Sequence, residues 1–204
     1  MDAIQMFLND HSRTHSASVG NPEGGFSISD FVLSGLDDDQ LRLRPGEGLN
    51  SLAWLFWHMA RTEDMGVNLI IAGRPQVLEE DDWAQRLDIS RRDMGAGMAD
   101  EEVTDFGETV DIVALHEYRS AVGIRTREIV AGMRSEELAE TIDSSRIQHA
   151  LSTGAIGENA GWIEGAFAGK TKALVLGHLA SGHSFMHLGE AWCLRSMAGL
   201  RLPL

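Results

Sequence analysis

Apolar positions recur at the three-and-four spacing of an α-helix in four long stretches of this chain. The first runs from about Ala3 to Ser16, with Asp2 as its N-cap and Ile4, Leu8, His11 and His15 on one stripe. A Gly/Pro-rich break follows at Gly20 to Gly25, and Ile28 to Leu36 reads as a further segment leading into DDDQ. Asn50 reads as the cap of the second long helix, whose stripe is Leu55, His58, Thr62, Met65 and Leu69. That helix stops near Gly73-Arg74-Pro75, where glycine followed by proline ends the hydrogen-bond ladder. The third spans about Thr109 to Met133, with Ile112, Leu115, Tyr118, Val122, Thr126 and Ile129 inward. The fourth spans about Lys170 to Ala198. Gln76 to Gly107 is weakly periodic and reads as a connection with one or two short helical turns. Ser135 to Ala168 reads as irregular, with a short helix around Trp162 to Phe167. No strand alternation or internal repeat is present. The pattern predicts an all-α protein, an antiparallel four-helix bundle with long connecting loops, as a single domain over residues 1–204.

Histidines fall on these inward stripes. In the fourth stretch Leu176, Ala180, His183, His187, Ala191 and Leu194 follow one face. Four residues turn a helix through about 400°, so the His183 and His187 rings nearly eclipse each other. Unpaired polar groups on a core face cost free energy, and neutral imidazole is a common metal ligand. His58 adds a third inward imidazole from another helix. Three protein ligands with positions left for water or substrate is the composition of an open metal site. The competing reading is three separate core histidines, each bonded to a carbonyl or hydroxyl.

Other candidates surround this set. Glu190 follows His187 by three and reads as a fourth ligand, an acceptor orienting a histidine N–H, a proton acceptor in catalysis, or a surface carboxylate. His11 and His15, in HSRTH, form a rival i, i+4 pair in polar surroundings, read as a second ligand pair, a pocket rim or a solvated helix end. Glu63 and Asp64 point away from His58 and read as a solvated charge pair with Arg61 or a neighbour. His178 lies about 100° off the ligand stripe and reads as structural. His116 and His149 are off the core pattern. Cys193 reads as an inert core thiol, with no adjacent base to activate it.

Charge and composition narrow the partners. With 31 acidic and 17 basic side chains the formal net charge is −14, and the only lysines are Lys170 and Lys172. That balance disfavours nucleic acid, whose binding depends on clustered Lys and Arg. One cysteine precludes an internal disulfide and fits a reducing compartment. The N-terminus lacks a signal-like apolar run, and no stretch approaches the roughly 18 apolar residues of a membrane span. The expectation is a cytoplasmic protein with a small-molecule substrate, and with neither nucleic acid nor membrane as partner. Phosphate-cradling loops, HExxH and GxSxG are absent.

The chain resembles the DinB-like metal-binding four-helix-bundle superfamily. The resemblance lies in SLAWLFWHMARTED, in HSFMHLGE on the last helix, and in the loop GRPQVL after the second. It implies a divalent ion, zinc or nickel, held by His58, His183 and His187, and a homodimer. Relatives include mycothiol-dependent maleylpyruvate isomerase and transferases of low-molecular-weight thiols. The isomerase pattern has a carboxylate at one ligand of the last helix, where this chain has His183. The implied activity is transfer of a low-molecular-weight thiol cosubstrate to an electrophile through a metal-activated thiolate. Hydrolysis by metal-bound hydroxide and a non-catalytic binding or stress-response module are the alternatives. Trp54, Met65 and Phe185 are the expected pocket walls.

Overall fold

The computed structural model describes residues 2–20 and 25–202, so most of the break read at Gly20 to Gly25 lies outside the described residues. Helix α1 (Ala3–Thr14) starts where the Asp2 carboxylate accepts the Gln5 N–H, and stops where His15 turns extended. Helix α2 (Leu52–Glu63) is capped by the Ser51 hydroxyl, which accepts from the Trp54 N–H. The expected cap, Asn50, is displaced by one position; its side chain reaches Glu190 instead. Beyond Glu63 the helix widens into π-helical turns, Asp64–Ala72, and ends at Gly73 in the left-handed conformation, φ 64°. Helix α3 (Ile112–Ala131) is capped by Asp111. It begins later than its periodicity suggested because Asp100–Thr109 forms a helix of its own. Helix α4 is Lys172–Leu176, π-helical turns over Gly177–Gly182, and His183–Met197.

The connections hold more helix than the pattern showed. Ile28–Leu33 and Asp38–Arg42 are short capped helices. Trp83–Arg86 and Asp100–Thr109 interrupt the connection after α2, and Ser144–Ser152 lies in the stretch read as irregular. The short helix Trp162–Phe167 stands where it was expected. Among the described residues there is no strand, only an isolated antiparallel bridge between Thr141 and Thr171. No helix among them is long and apolar enough to cross a membrane.

Helix α2 is the centre of the molecule. It packs against α3 and α4, and α1 packs against both of those. All 12 residues of Leu52–Glu63 are buried, so this helix has no wet face. Two apolar clusters meet along it. One gathers around Phe56, Trp57, Leu115 and Tyr118, the other around Ile70, Ile147, Leu176 and Leu179. Each fully buried side chain of this size contributes about 1.5–3 kcal/mol over an exposed one. The two π-helical stretches touch: a Cβ at Gly66 would lie 2.7 Å from Leu179 Cδ1. Any larger residue there would force Leu179 to shift.

Arg61 and Asp64 do not form a solvated pair. Both are fully buried in a polar knot. Arg61 Nη1 donates to Asp64 Oδ2 at 3.0 Å and to Tyr118 Oη at 2.8 Å, and the Tyr118 hydroxyl donates to Asp64 Oδ2 at 2.7 Å. Asp64 also accepts the backbone N–H groups of Val77 and Leu78 at 2.9 and 3.0 Å. Charge burial of this kind is tolerated only when the remaining lone pairs and protons find partners. Here it clamps the chain leaving α2 back onto that helix.

Candidate metal centre

His58 sits in the second turn of α2, and His183 and His187 open the last segment of α4 directly after its wide turns. Such turns shift the register of the side chains beyond them and often accompany functional sites. The three rings meet: His183 Nε2 lies 3.1 Å from His58 Nε2 and 3.2 Å from His187 Nε2. His58 is buried, while His183 and His187 are half-buried, so the cluster has one covered side and one that solvent reaches.

The tautomers follow from the outer partners. His58 Nδ1 makes a short hydrogen bond to the Met94 carbonyl, which can only accept, so Nδ1 carries the proton and Nε2 a lone pair. His187 Nδ1 lies 2.7 Å from Glu190 Oε2. The Glu190 carboxyl is held below its usual range, first by this hydrogen bond and against the pull of burial, so it is ionised and accepts from Nδ1–H. His187 Nε2 therefore also bears a lone pair. Both lone pairs face His183 Nε2, which has one proton at most to offer, while His183 Nδ1 is buried without a partner. Three neutral imidazoles cannot satisfy one another in this arrangement, and a cation at their focus can satisfy all three. Ligand bonds of about 2.0–2.1 Å in tetrahedral geometry put nitrogens roughly 3.3 Å apart, close to the spacing seen. The residues present fit a divalent ion.

Electrostatics agree with this protonation. Burial pushes His58 down to about 4, against the opposing effect of the Met94 carbonyl. Burial and then the neighbouring imidazoles push His183 down to about 2. Both rings are neutral at physiological pH, the form a metal needs.

Partners outside the ligand set orient it. Asn50 Nδ2 donates to Glu190 Oε1 at 3.2 Å, so Asn50, Glu190 and His187 form a chain ending at the cluster. The Trp54 ring stacks on His58, centroids 4.7 Å apart and planes 13° off parallel, and covers the buried side. Phe185 is no wall of this cluster. It lines a groove with Met6, Phe7 and Leu176 on the α1 side, and Arg13 lies over its ring. Met65 is fully buried in the second apolar cluster. Cys193 is exposed rather than in the core. His178 is exposed on α4 and rests against Phe167.

Glu63 is the residue that periodicity misplaced. It is fully buried and takes His11 and His15 as partners, at 2.9 and 2.8 Å, so that pair is not a solvated helix end. The signal was present in LAWLFWHMA: a helix with no polar side offers a following carboxylate no wet face to occupy.

Helices packed around a half-covered histidine triad define an all-α protein with a group that can hold a metal ion. The chain belongs to the DinB superfamily, whose family model matches residues 28–191. Its fold is similar to the crystal structure of a conserved protein from Enterococcus faecalis, with TM-score 0.70 and 18% identity over 98% of this chain and 99% of that one. No curated protein matches the chain.

Proposed function

We propose that the protein is a divalent-metal-dependent enzyme that transfers a low-molecular-weight thiol to an electrophilic small molecule. The observation that supports this reading is the convergence of two lone pairs on His183 Nε2 at a partly open cluster. His58, His183 and His187 would hold the ion. A zinc or nickel ion there supplies positive charge that lowers the pKa of a thiol or water beside it.

The chain's own residues set the conditions for that chemistry. Neutral ligands add no negative charge of their own to the site; the one carboxylate beside it, Glu190, acts through His187. The Met94 carbonyl and the Glu190 carboxylate fix the orientation of His58 and His187. Trp54 keeps water from the His58 face. Substrates approach from the side of His183 and His187, where the cluster is half-buried.

Hydrolysis is the second reading, favoured by one feature. The Glu190 side chain is 36% exposed and ionised, and is placed to accept a proton from water near His187. The deciding assay offers an activated ester and a thiol-reactive electrophile to metal-loaded and chelated protein, each with and without a low-molecular-weight thiol. Thiol transfer predicts turnover that needs both metal and thiol. Metal-dependent ester cleavage indifferent to thiol would replace this reading with the hydrolase. Metal binding without turnover of either substrate would favour a non-catalytic binding module.

A further inference from the structure

The HSRTH histidines are not used by the site described above. His11 Nε2 lies 2.9 Å from Glu63 Oε1 and His15 Nε2 lies 2.8 Å from Glu63 Oε2. The two rings stack with centroids 4.4 Å apart, as residues four apart on one helix do. All three side chains are at most 1% exposed. We propose that His11, His15 and Glu63 form a second, fully enclosed divalent-metal site, independent of the three-histidine cluster.

Two imidazoles and one carboxylate are an established ligand set for zinc. Here two imidazoles from α1 and one carboxylate from α2 present donor atoms within 4.8 Å of one another. Among the described residues nothing else donates a hydrogen bond to Glu63, so both its oxygens are directed at this focus. The Nδ1 atoms of His11 and His15 are both buried without partners. That matters for the proton balance. Without an ion, each ring must carry its proton on Nε2 to donate to Glu63, and each Nδ1 lone pair is unmatched. With an ion, each proton moves to Nδ1 of the same ring and both Nε2 lone pairs and the carboxylate bind metal. No net proton is released, and one unmatched Nδ1 per ring remains in either state. The exchange therefore trades two hydrogen bonds for ligand bonds without stranding a further polar atom.

The nearest competing cation is Arg119. It is buried, gives one N–H to the Thr14 carbonyl at 2.8 Å and lies over the Phe56 ring. It forms no ion pair with Glu63 within 4.0 Å, so the carboxylate stays open to an ion. A groove of about 680 Å³, with Ser16 and His116 at its sides, reaches His15 and Arg119, and His15 is the one member of the set among its lining. Gly123 makes room for the site: a Cβ there would lie 2.6 Å from His15 Nδ1.

The test is anomalous diffraction at the zinc edge on crystals of the full chain soaked in zinc, with zinc stoichiometry measured on the same protein after desalting. Two peaks and two ions per chain are expected, one at each cluster. In a His183→Ala/His187→Ala variant one ion should remain; in Glu63→Gln or His15→Gln the three-histidine ion should remain. A peak at the three-histidine cluster alone would overturn the second site and show Glu63 to be a hydrogen-bonded anchor for α1. A peak at His11, His15 and Glu63 alone would uphold the second site and remove the basis of the proposed activity. The diffraction reads the unaltered protein, so the result stands even if the Glu63 variant does not fold.

Discussion

Glu190 Oε2 receives the Nδ1–H of His187 at 2.7 Å, and that single contact decides which nitrogen His187 turns towards the cluster. Carboxylate partners of this kind fix both tautomer and ring orientation, and their loss typically costs about 10–100-fold in metal affinity. Glu190→Gln should weaken zinc binding by that order in a competition titration against a chelator. Asn50→Ala, one bond further out, should have a smaller effect in the same direction. Unchanged affinity in both variants would show that the cluster orients itself without them.

Removal of a ligand should be far more severe than removal of a neighbour on the same helix. His183→Ala or His187→Ala leaves two imidazoles and should abolish tight binding at this cluster. His178→Ala should leave it intact, since that ring is exposed and meets Phe167 instead. Metal analysis paired with circular dichroism separates lost ligation from lost fold. Equal loss in His178→Ala and His187→Ala would contradict the register described for α4.

Stability of the metal-free protein should fall in acid over a defined window. His15 and His58 both have their values lowered from 6.5 to about 4, chiefly by burial. The unfolded chain takes up protons below 6.5, while the folded chain refuses them until about 4. Their contribution is therefore complete above pH 6.5, declines between 6.5 and 4, and is gone below that. The combined loss should be on the order of a few kcal/mol. Urea unfolding at stepped pH reads it directly, and a midpoint that rises on acidification through this window would reverse the sign.

Asp64 should matter for folding more than any surface carboxylate. Asp64→Ala strands the buried Arg61 guanidinium and leaves the Val77 and Leu78 N–H groups without their acceptor. Breaking one partner of a buried pair costs roughly 3–5 kcal/mol. Glu117 serves as the control: its pair with Arg86 is exposed, and Glu117→Ala should cost less than about 1 kcal/mol. Thermal unfolding of the two variants makes the comparison.

How much of this was legible without coordinates depends on the range of each interaction. The four long helices and the inward placement of His58, His183 and His187 are local matters. A stripe at three-and-four spacing reports one face of one helix, and all three histidines lie on such stripes. Helix ends with a single glycine signal, such as Gly73, were legible for the same reason. Short helices in the connections, such as Ser144–Ser152, were not, because one or two turns carry too few apolar positions to establish a period.

Tertiary structure decided the rest. Asn50 was read as a local cap, but its partner Glu190 is 140 residues away. The Met94 carbonyl that sets the His58 tautomer is a backbone atom, which no side-chain pattern announces. Glu63 lies off the stripe of its helix, and only the assembled structure shows that its carboxylate belongs to His11 and His15 of α1. Periodicity says which residues share a face. What covers that face, and which distant polar atom completes a charge, is determined by how the helices pack, because burial is a property of the assembled core.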